Sequence, residues 1–154
     1  MSQRVDFKKA APDGYTAFSG VQAYVNKSGL EHALLELVKM RASQINGCAF
    51  CLAMHSADAV KAGERHERLH LLPAWRETQL YTPRERAALA WTEALTLVAG
   101  KDVPDDVYEE GRRHFSEQEL VDLTYAVITI NGWNRMCIAF RIPPVAATSA
   151  AAAQ

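Results

Sequence analysis

An all-α fold is predicted, a compact bundle of about six helices. Three observations predict it. Apolar residues recur at helical spacing over long stretches, no stretch alternates with period two over a useful length, and glycines, prolines and capping residues punctuate the chain at helix-length intervals. Tyr15 to Ser28 is the first helix candidate, ending near Gly29. Glu31 to Ile45 is stronger, with apolar residues at 30, 34, 37, 38 and 45, and Asn46-Gly47 stops it. A new helix should run from about Cys48 to about Ala62, with Gly63 as its stop. Leu69 to Tyr81, holding Pro73 and Trp75, reads as a connector. Thr82-Pro83-Arg84-Glu85 is a capping box with proline at the first helical position, opening a helix that should reach about Ala99 and stop at Gly100. Pro104 to His114 is a shorter helix, and Ser116 to Glu119 is a second capping box before a long helix toward Ile142.

A chain of 154 residues fits one domain, here 1–145, and can bury a core without disulfides. The Ala-rich stretch 146–154 follows Pro143-Pro144 and reads as a loose tail. Seventeen Lys and Arg against 18 Asp and Glu leave a net charge of −1, without the basic excess that nucleic acid or an anionic membrane surface would call for. No apolar run approaches the roughly 20 residues of a membrane span, and the N-terminus has no signal-peptide core. The compartment expected is the cytoplasm, where the odd count of 3 cysteines argues against a structural disulfide framework.

The chemistry is expected at Cys48-Ala49-Phe50-Cys51-Leu52-Ala53-Met54-His55. On a helix, Cys48, Cys51 and His55 share one face, within about 60° of each other. Cys48, just after the Gly47 break, meets the free N–H groups and positive end of the new helix, which favour a thiolate. The two-residue gap lets the thiols close to a disulfide, and His55 can accept or relay a proton. Zinc is the rival reading, since Cys48, Cys51 and His55 are ligand types it takes. A structural site needs a fourth ligand, and Cys137, isolated in Met136-Cys137-Ile138-Ala139-Phe140, reads as a buried small hydrophobe. His32, His66, His70 and His114 form no companion pair.

From Leu30 to His55 the sequence resembles the alkylhydroperoxidase AhpD-like family of the carboxymuconolactone decarboxylase superfamily. The pattern is a glutamate twelve residues before the first cysteine, then CxxC, then a histidine four after the second; Glu36, Cys48, Cys51 and His55 meet it. Similarity continues through Leu72-Pro73-Ala74-Trp75-Arg76-Glu77 and the Thr82 helix, and ends with Asn131-Gly132-Trp133-Asn134-Arg135. The resemblance implies an all-helical homo-oligomer that reduces hydrogen peroxide or organic hydroperoxides. By position, Cys51 would be the thiolate attacked by peroxide, Cys48, nearer the surface, would resolve the sulfenic acid, and Glu36 and His55 would form the proton relay. No bound cofactor is implied; an external dithiol, a lipoyl group on a carrier protein in the best-known members, would reopen the disulfide.

One position departs from the pattern. The founding members carry a second histidine just before the second cysteine, where this chain has Phe50. A thiol-disulfide oxidoreductase or redox sensor without strong peroxidase turnover is therefore an alternative. A lactone decarboxylase is disfavoured by the CxxC pair.

Periodicity alone treats Glu36 differently from the resemblance. The apolar arc of its helix spans roughly 220°. Glu36 falls outside it with His32, Lys39 and Ser43, as a solvated surface acid would. Arg41 and Gln44 fall inside, so Arg41 should be structural and need a carboxylate, with Glu93 and Asp122 as candidates. The width of the arc also predicts that part of it is covered by a second copy.

Overall fold

The computed structural model describes residues 2–144, so the predicted tail at 146–154 lies outside the described residues. Eight α-helices appear among the described residues, with no strand. α1 (Phe7–Ala10) was not foreseen; Asp6 caps it by accepting hydrogen bonds from the Lys8 and Lys9 N–H groups. α2 (Pro12–Val25) starts earlier than predicted because Pro12 occupies the first turn, where its missing N–H costs nothing. α3 (His32–Asn46) and α4 (Ala49–Lys61) lie where expected. The predicted connector is largely helical: α5 (His66–Leu71) runs into a 3₁₀ segment (Leu72–Glu77). No side chain caps either piece, which left no start signal to read. α6 (Pro83–Thr96) stops short of Ala99, where a 3₁₀ turn (Val98–Gly100) takes over. α7 (Asp105–His114) and the long α8 (Glu117–Phe140) complete the bundle. Both capping boxes form, with Thr82 and Ser116 each accepting from, and each receiving the carboxylate of, the glutamate three residues on.

α3 is the central element and packs on α4, α6 and α8. One core lies between α3, α6 and α8 around Val38, Ala88 and Leu123. Another lies under Leu37, Leu72, Trp75 and Leu89. Leu37, Leu89 and Leu123 are fully buried, and each contributes about 1.5–3 kcal/mol. A small third cluster joins Ala42, Cys48, Cys51, Ile130 and Cys137. The apolar arc of α3 is covered within one chain: Leu34, Leu35, Leu37, Val38, Met40 and Ala42 are all buried. That corrects the argument for a second copy, because α4, α6 and α8 close over the helix from different sides. Exposed apolar side chains gather on α8 instead, at Val121, Tyr125 and Ile128. None of the helices described is long and apolar enough to cross a membrane.

Arg41 finds the first of its two candidate partners. Its Nε donates to Glu93 Oε1 at 2.7 Å, and Trp75 Nε1 donates to the same oxygen at 2.9 Å. Arg76 holds the other Glu93 oxygen. Asp122 is engaged elsewhere, accepting from the Tyr24 hydroxyl at 2.5 Å.

Candidate active site

The turn between α3 and α4 sets the site. Gly47 adopts φ 69° and ψ 35°, a left-handed conformation that costs an L-residue about 1–2 kcal/mol. The Cys48 N–H donates to Ser43 O at 3.0 Å and the Gly47 N–H to Gln44 O at 3.3 Å, which ends α3 in a Schellman pattern. The chain leaves this turn with Cys48 in the N-cap position of α4 and Cys51 in its first turn. Asn46 is tied down as well, its Nδ2 donating to Asn131 Oδ1 at 2.9 Å and Asn134 Oδ1 at 2.8 Å on α8. Asn134 Nδ2 in turn donates to the buried Ser43 hydroxyl at 3.0 Å. This amide network locks α3, the turn and α8 into one floor beneath the cysteines.

Cys48 and Cys51 are unbonded thiols whose sulfurs stand 2.8 Å apart, in hydrogen-bond contact and well beyond the length of about 2.05 Å of a disulfide. Each is 1% exposed. Only Cys51 of the two lines the large cavity on this side of the molecule, a space of ≈ 850 Å³. Cys48, the N-cap residue of α4, is as hidden from solvent as Cys51 and packs with it, Ile130 and Cys137 in the small third cluster.

His55, one turn further along α4, lines the same cavity. Its Nδ1 lies 2.9 Å from Glu36 Oε2, and Lys39 Nζ donates to Glu36 Oε1 at 2.8 Å. Glu36 is 3% exposed, and Lys39 and Ser43 are buried with it. Of the four residues on the face that periodicity assigned to solvent, His32, Glu36 and Lys39 line the cavity, Ser43 is buried against Asn134, and His32 alone stays exposed. Burial by itself would raise the Glu36 pKa, but hydrogen bonds from His55 and Lys39, and their charges, reverse that and bring it down to about 2. An ionised Glu36 can only accept, so His55 carries a proton on Nδ1. No hydrogen bond joins His55 to either sulfur among the described residues.

Sequence reasoning missed Cys137. It lies in the last turns of α8, and its sulfur and those of Cys48 and Cys51 all fall within 4.8 Å of one another. It is buried and lines the cavity beside Cys51. The ligand set imagined for zinc does not converge. Among the described residues the close groups are the three thiols on one hand, and Glu36, His55 and Asp58 on the other. Within the thiol cluster Cys48 is the acidic member. Hydrogen bonds from the Cys137 and Cys51 thiols stabilise its thiolate against the cost of burial, and the Cys51 N–H and the Asn134 amide add to them. Cys137 also favours a thiolate at Cys51, but the neighbouring Cys48 sulfur and burial outweigh it and push the Cys51 thiol up. Cys137 is raised further, because it gives its hydrogen bonds to the other two. The acidity of Cys48 therefore rests chiefly on its neighbouring thiols and not on its place at the start of α4.

The model of the carboxymuconolactone decarboxylase family matches residues 10–94, which span α2 to α6 and include Glu36, both CxxC cysteines and His55. The chain belongs to this family. YdfG of Bacillus subtilis, an uncharacterised protein, is 44% identical over 139 residues, 90% of this chain and 95% of its own. A crystal structure from Agrobacterium tumefaciens superposes with a TM-score of 0.91 at 42% identity, covering 94% of this chain and 99% of that one. It is described as a protein of unknown function, a candidate AhpD-type antioxidant defence protein. An uncharacterised peroxidase-related protein from Silicibacter shares the fold at a TM-score of 0.75 and 23% identity, over 85% of this chain and 70% of its own. The family membership and the all-helical, AhpD-like fold agree with the resemblance seen in the CxxC segment.

Proposed function

We propose that the chain is a thiol-dependent peroxidase in which Cys51 is oxidised and Cys48 resolves it. One observation carries the reading: Cys51 lines a cavity of ≈ 850 Å³ together with His55 and Glu36, and the Cys48 sulfur stands 2.8 Å from its own. The AhpD-type description of the Agrobacterium relative, at 42% identity, agrees with it.

In this reading His55 Nε2, directly or through one water, takes the proton from the Cys51 thiol. Glu36 holds the ring by its Nδ1–H and balances the imidazolium charge, as an orienting carboxylate does for a catalytic histidine. The Cys51 thiolate attacks the terminal oxygen of the hydroperoxide. The O–O bond breaks, Cys51 becomes a sulfenic acid, and the leaving alkoxide takes the proton back from His55. Cys48, the more acidic thiol, attacks the sulfenic sulfur; the disulfide forms and the oxygen departs as water. An external dithiol then restores both thiols and is itself oxidised to a disulfide. A lipoyl group on a carrier protein is the donor the resemblance implies.

The test is a free-thiol count before and after one equivalent of cumene hydroperoxide, without reductant. Two thiols should be lost, with Cys48 joined to Cys51 in a peptide map. The Cys51→Ser variant should keep its helicity and lose peroxide consumption. Turnover at the parent rate in that variant, or no thiol loss in the parent, would overturn the reading.

A further inference from the structure

Cys137 is placed unlike an inert core cysteine. Such a residue packs among aliphatic groups as a small hydrophobe. Here one helical face of α8 brings Ile130, Asn134 and Cys137 onto the α3–α4 turn, and the neighbours of the Cys137 sulfur are two other sulfurs within 4.8 Å. Cys137 and Cys51 share the cavity wall, and Cys48 does not. Cys137 also sits in the last turns of a helix that ends at Phe140, where the backbone yields more easily than in mid-helix.

From this juxtaposition we propose that Cys137 is a third redox thiol, able to form a disulfide with Cys51 and so to present the oxidised site to its reductant. The inference rests on the dithiol reading above. Two balanced steps lead to the same product. In one, the Cys137 thiol attacks the Cys51 sulfenic acid, an S–S bond forms, the S–O bond breaks, and water leaves. In the other, the Cys137 sulfur attacks Cys51 of the Cys48–Cys51 disulfide, the S–S bond breaks, and the Cys137 proton passes to the departing Cys48 sulfur, with no net change in oxidation state. The favourable acidity of Cys48 makes it the better leaving group in that exchange. The consequence is access. A donor thiol must approach along the axis of the bond it breaks. Cys51 and Cys137 both line the cavity and Cys48 does not, so a Cys51–Cys137 disulfide would have both of its residues on the cavity wall, and a Cys48–Cys51 disulfide only one.

The experiment uses the full-length Cys48→Ser variant, with helicity checked by circular dichroism. It is oxidised in parallel with one equivalent of cumene hydroperoxide and with diamide, which joins nearby thiols without peroxide chemistry. Acid-quenched, thiol-blocked digests are then mapped. The expected result is loss of both remaining thiols and a Cys51–Cys137 peptide as the main product in each arm. A Cys51 sulfenic or sulfinic acid with Cys137 still free, or only disulfides between chains, would overturn the proposal. The arms separate the two readings. If the parent ignores peroxide but diamide joins Cys51 to Cys137 in the variant, the peroxidase reading falls and the three-thiol centre stands. If the parent oxidises normally and Cys137 stays free in both arms, the three-thiol centre alone falls. Should Cys48→Ser lose its helicity, the parent is mapped across a glutathione redox series instead. A Cys51–Cys137 disulfide is expected there among the oxidised forms, set by exchange among the three sulfurs; its absence is the overturning result.

Discussion

Two acids on neighbouring helices, Glu36 on α3 and Glu93 on α6, look alike by the usual measures. Both are held in their ionised form against the cost of burial. Both receive a nitrogen donor on each carboxylate oxygen. Their partners separate them. Glu93 is held by two guanidinium groups and an indole N–H, none of which releases a proton in ordinary conditions. Glu36 is held by an imidazole and an ammonium, and both it and His55 face the large cavity. Burial and ion pairing therefore do not mark a functional acid. A titratable partner and an open path to a reactive atom do.

The contrast is broken most forcefully at Glu93. Replacing it with alanine leaves the half-buried Arg41 guanidinium and the Trp75 N–H without their acceptor. The expected cost is about 3 kcal/mol of unfolding free energy, read by urea denaturation. Peroxide consumption per folded molecule should stay within about twofold of the parent. Arg41→Met should behave the same way with a smaller loss, since methionine refills the apolar space. Loss of activity at unchanged stability, in either variant, would move Arg41 and Glu93 into the working site.

At Glu36 the effect should fall on rate. Glu36→Gln keeps the shape but removes the charge that orients His55. Peroxide-dependent Cys51 oxidation should slow about 100-fold, the scale of a lost acid–base group. A comparable rate with Gln would make Glu36 a packing residue like its counterpart.

The acid limb of the stability curve gives a third separation. The Glu36 pKa lies at about 2, below its ordinary 4.5, so its stabilisation is complete above 4.5 and is lost as pH falls toward 2. After allowance for screening, that is about 2 kcal/mol across the window. Melting temperatures of the parent should drop through this range more steeply than those of Glu36→Gln. Parallel curves would mean that the carboxyl is not ionised in the folded state.

How much of this was legible in sequence follows from how local each feature is. The capping boxes at Thr82 and Ser116 and the Gly47 stop are set by neighbours within a turn or two and were readable; the expected Cys48–Cys51–His55 face is not reproduced whole, because Cys48 caps α4 in extended backbone and only Cys51 and His55 line the cavity. α1 and α5 are a turn or two long; the uncapped α5 and the 3₁₀ segment after it offered no start signal, and the Asp6 cap of α1 was overlooked. Glu36 was misjudged by periodicity because a helix wheel knows two environments, core and solvent, and a cavity wall is neither. Cys137 was missed because what matters about it is an approach to residues more than eighty positions away, which only the packing of α8 on the α3–α4 turn creates. The odd cysteine count was the one available hint.

The smallest of these effects, and the sharpest test of the cavity wall, is at Phe50. It lines the cavity next to Cys51 in the first turn of α4, at the position where the founding AhpD-like members have a histidine. Phe50 is only partly buried, so Phe50→His should cost less than about 1 kcal/mol of stability. An imidazole there would give the Cys51 proton a second acceptor. His55, by contrast, makes no hydrogen bond to the sulfurs in the ground state. The expected gain is about tenfold in the rate of Cys51 oxidation, at the low end of general-base effects because the wall around it is largely apolar. Stopped-flow tryptophan fluorescence under single turnover would read it. A gain that appears only with peroxide, and not with diamide, places the new base on the O–O cleavage step. Equal acceleration with both oxidants means that the Cys51 proton, and not peroxide activation, limits the parent chain.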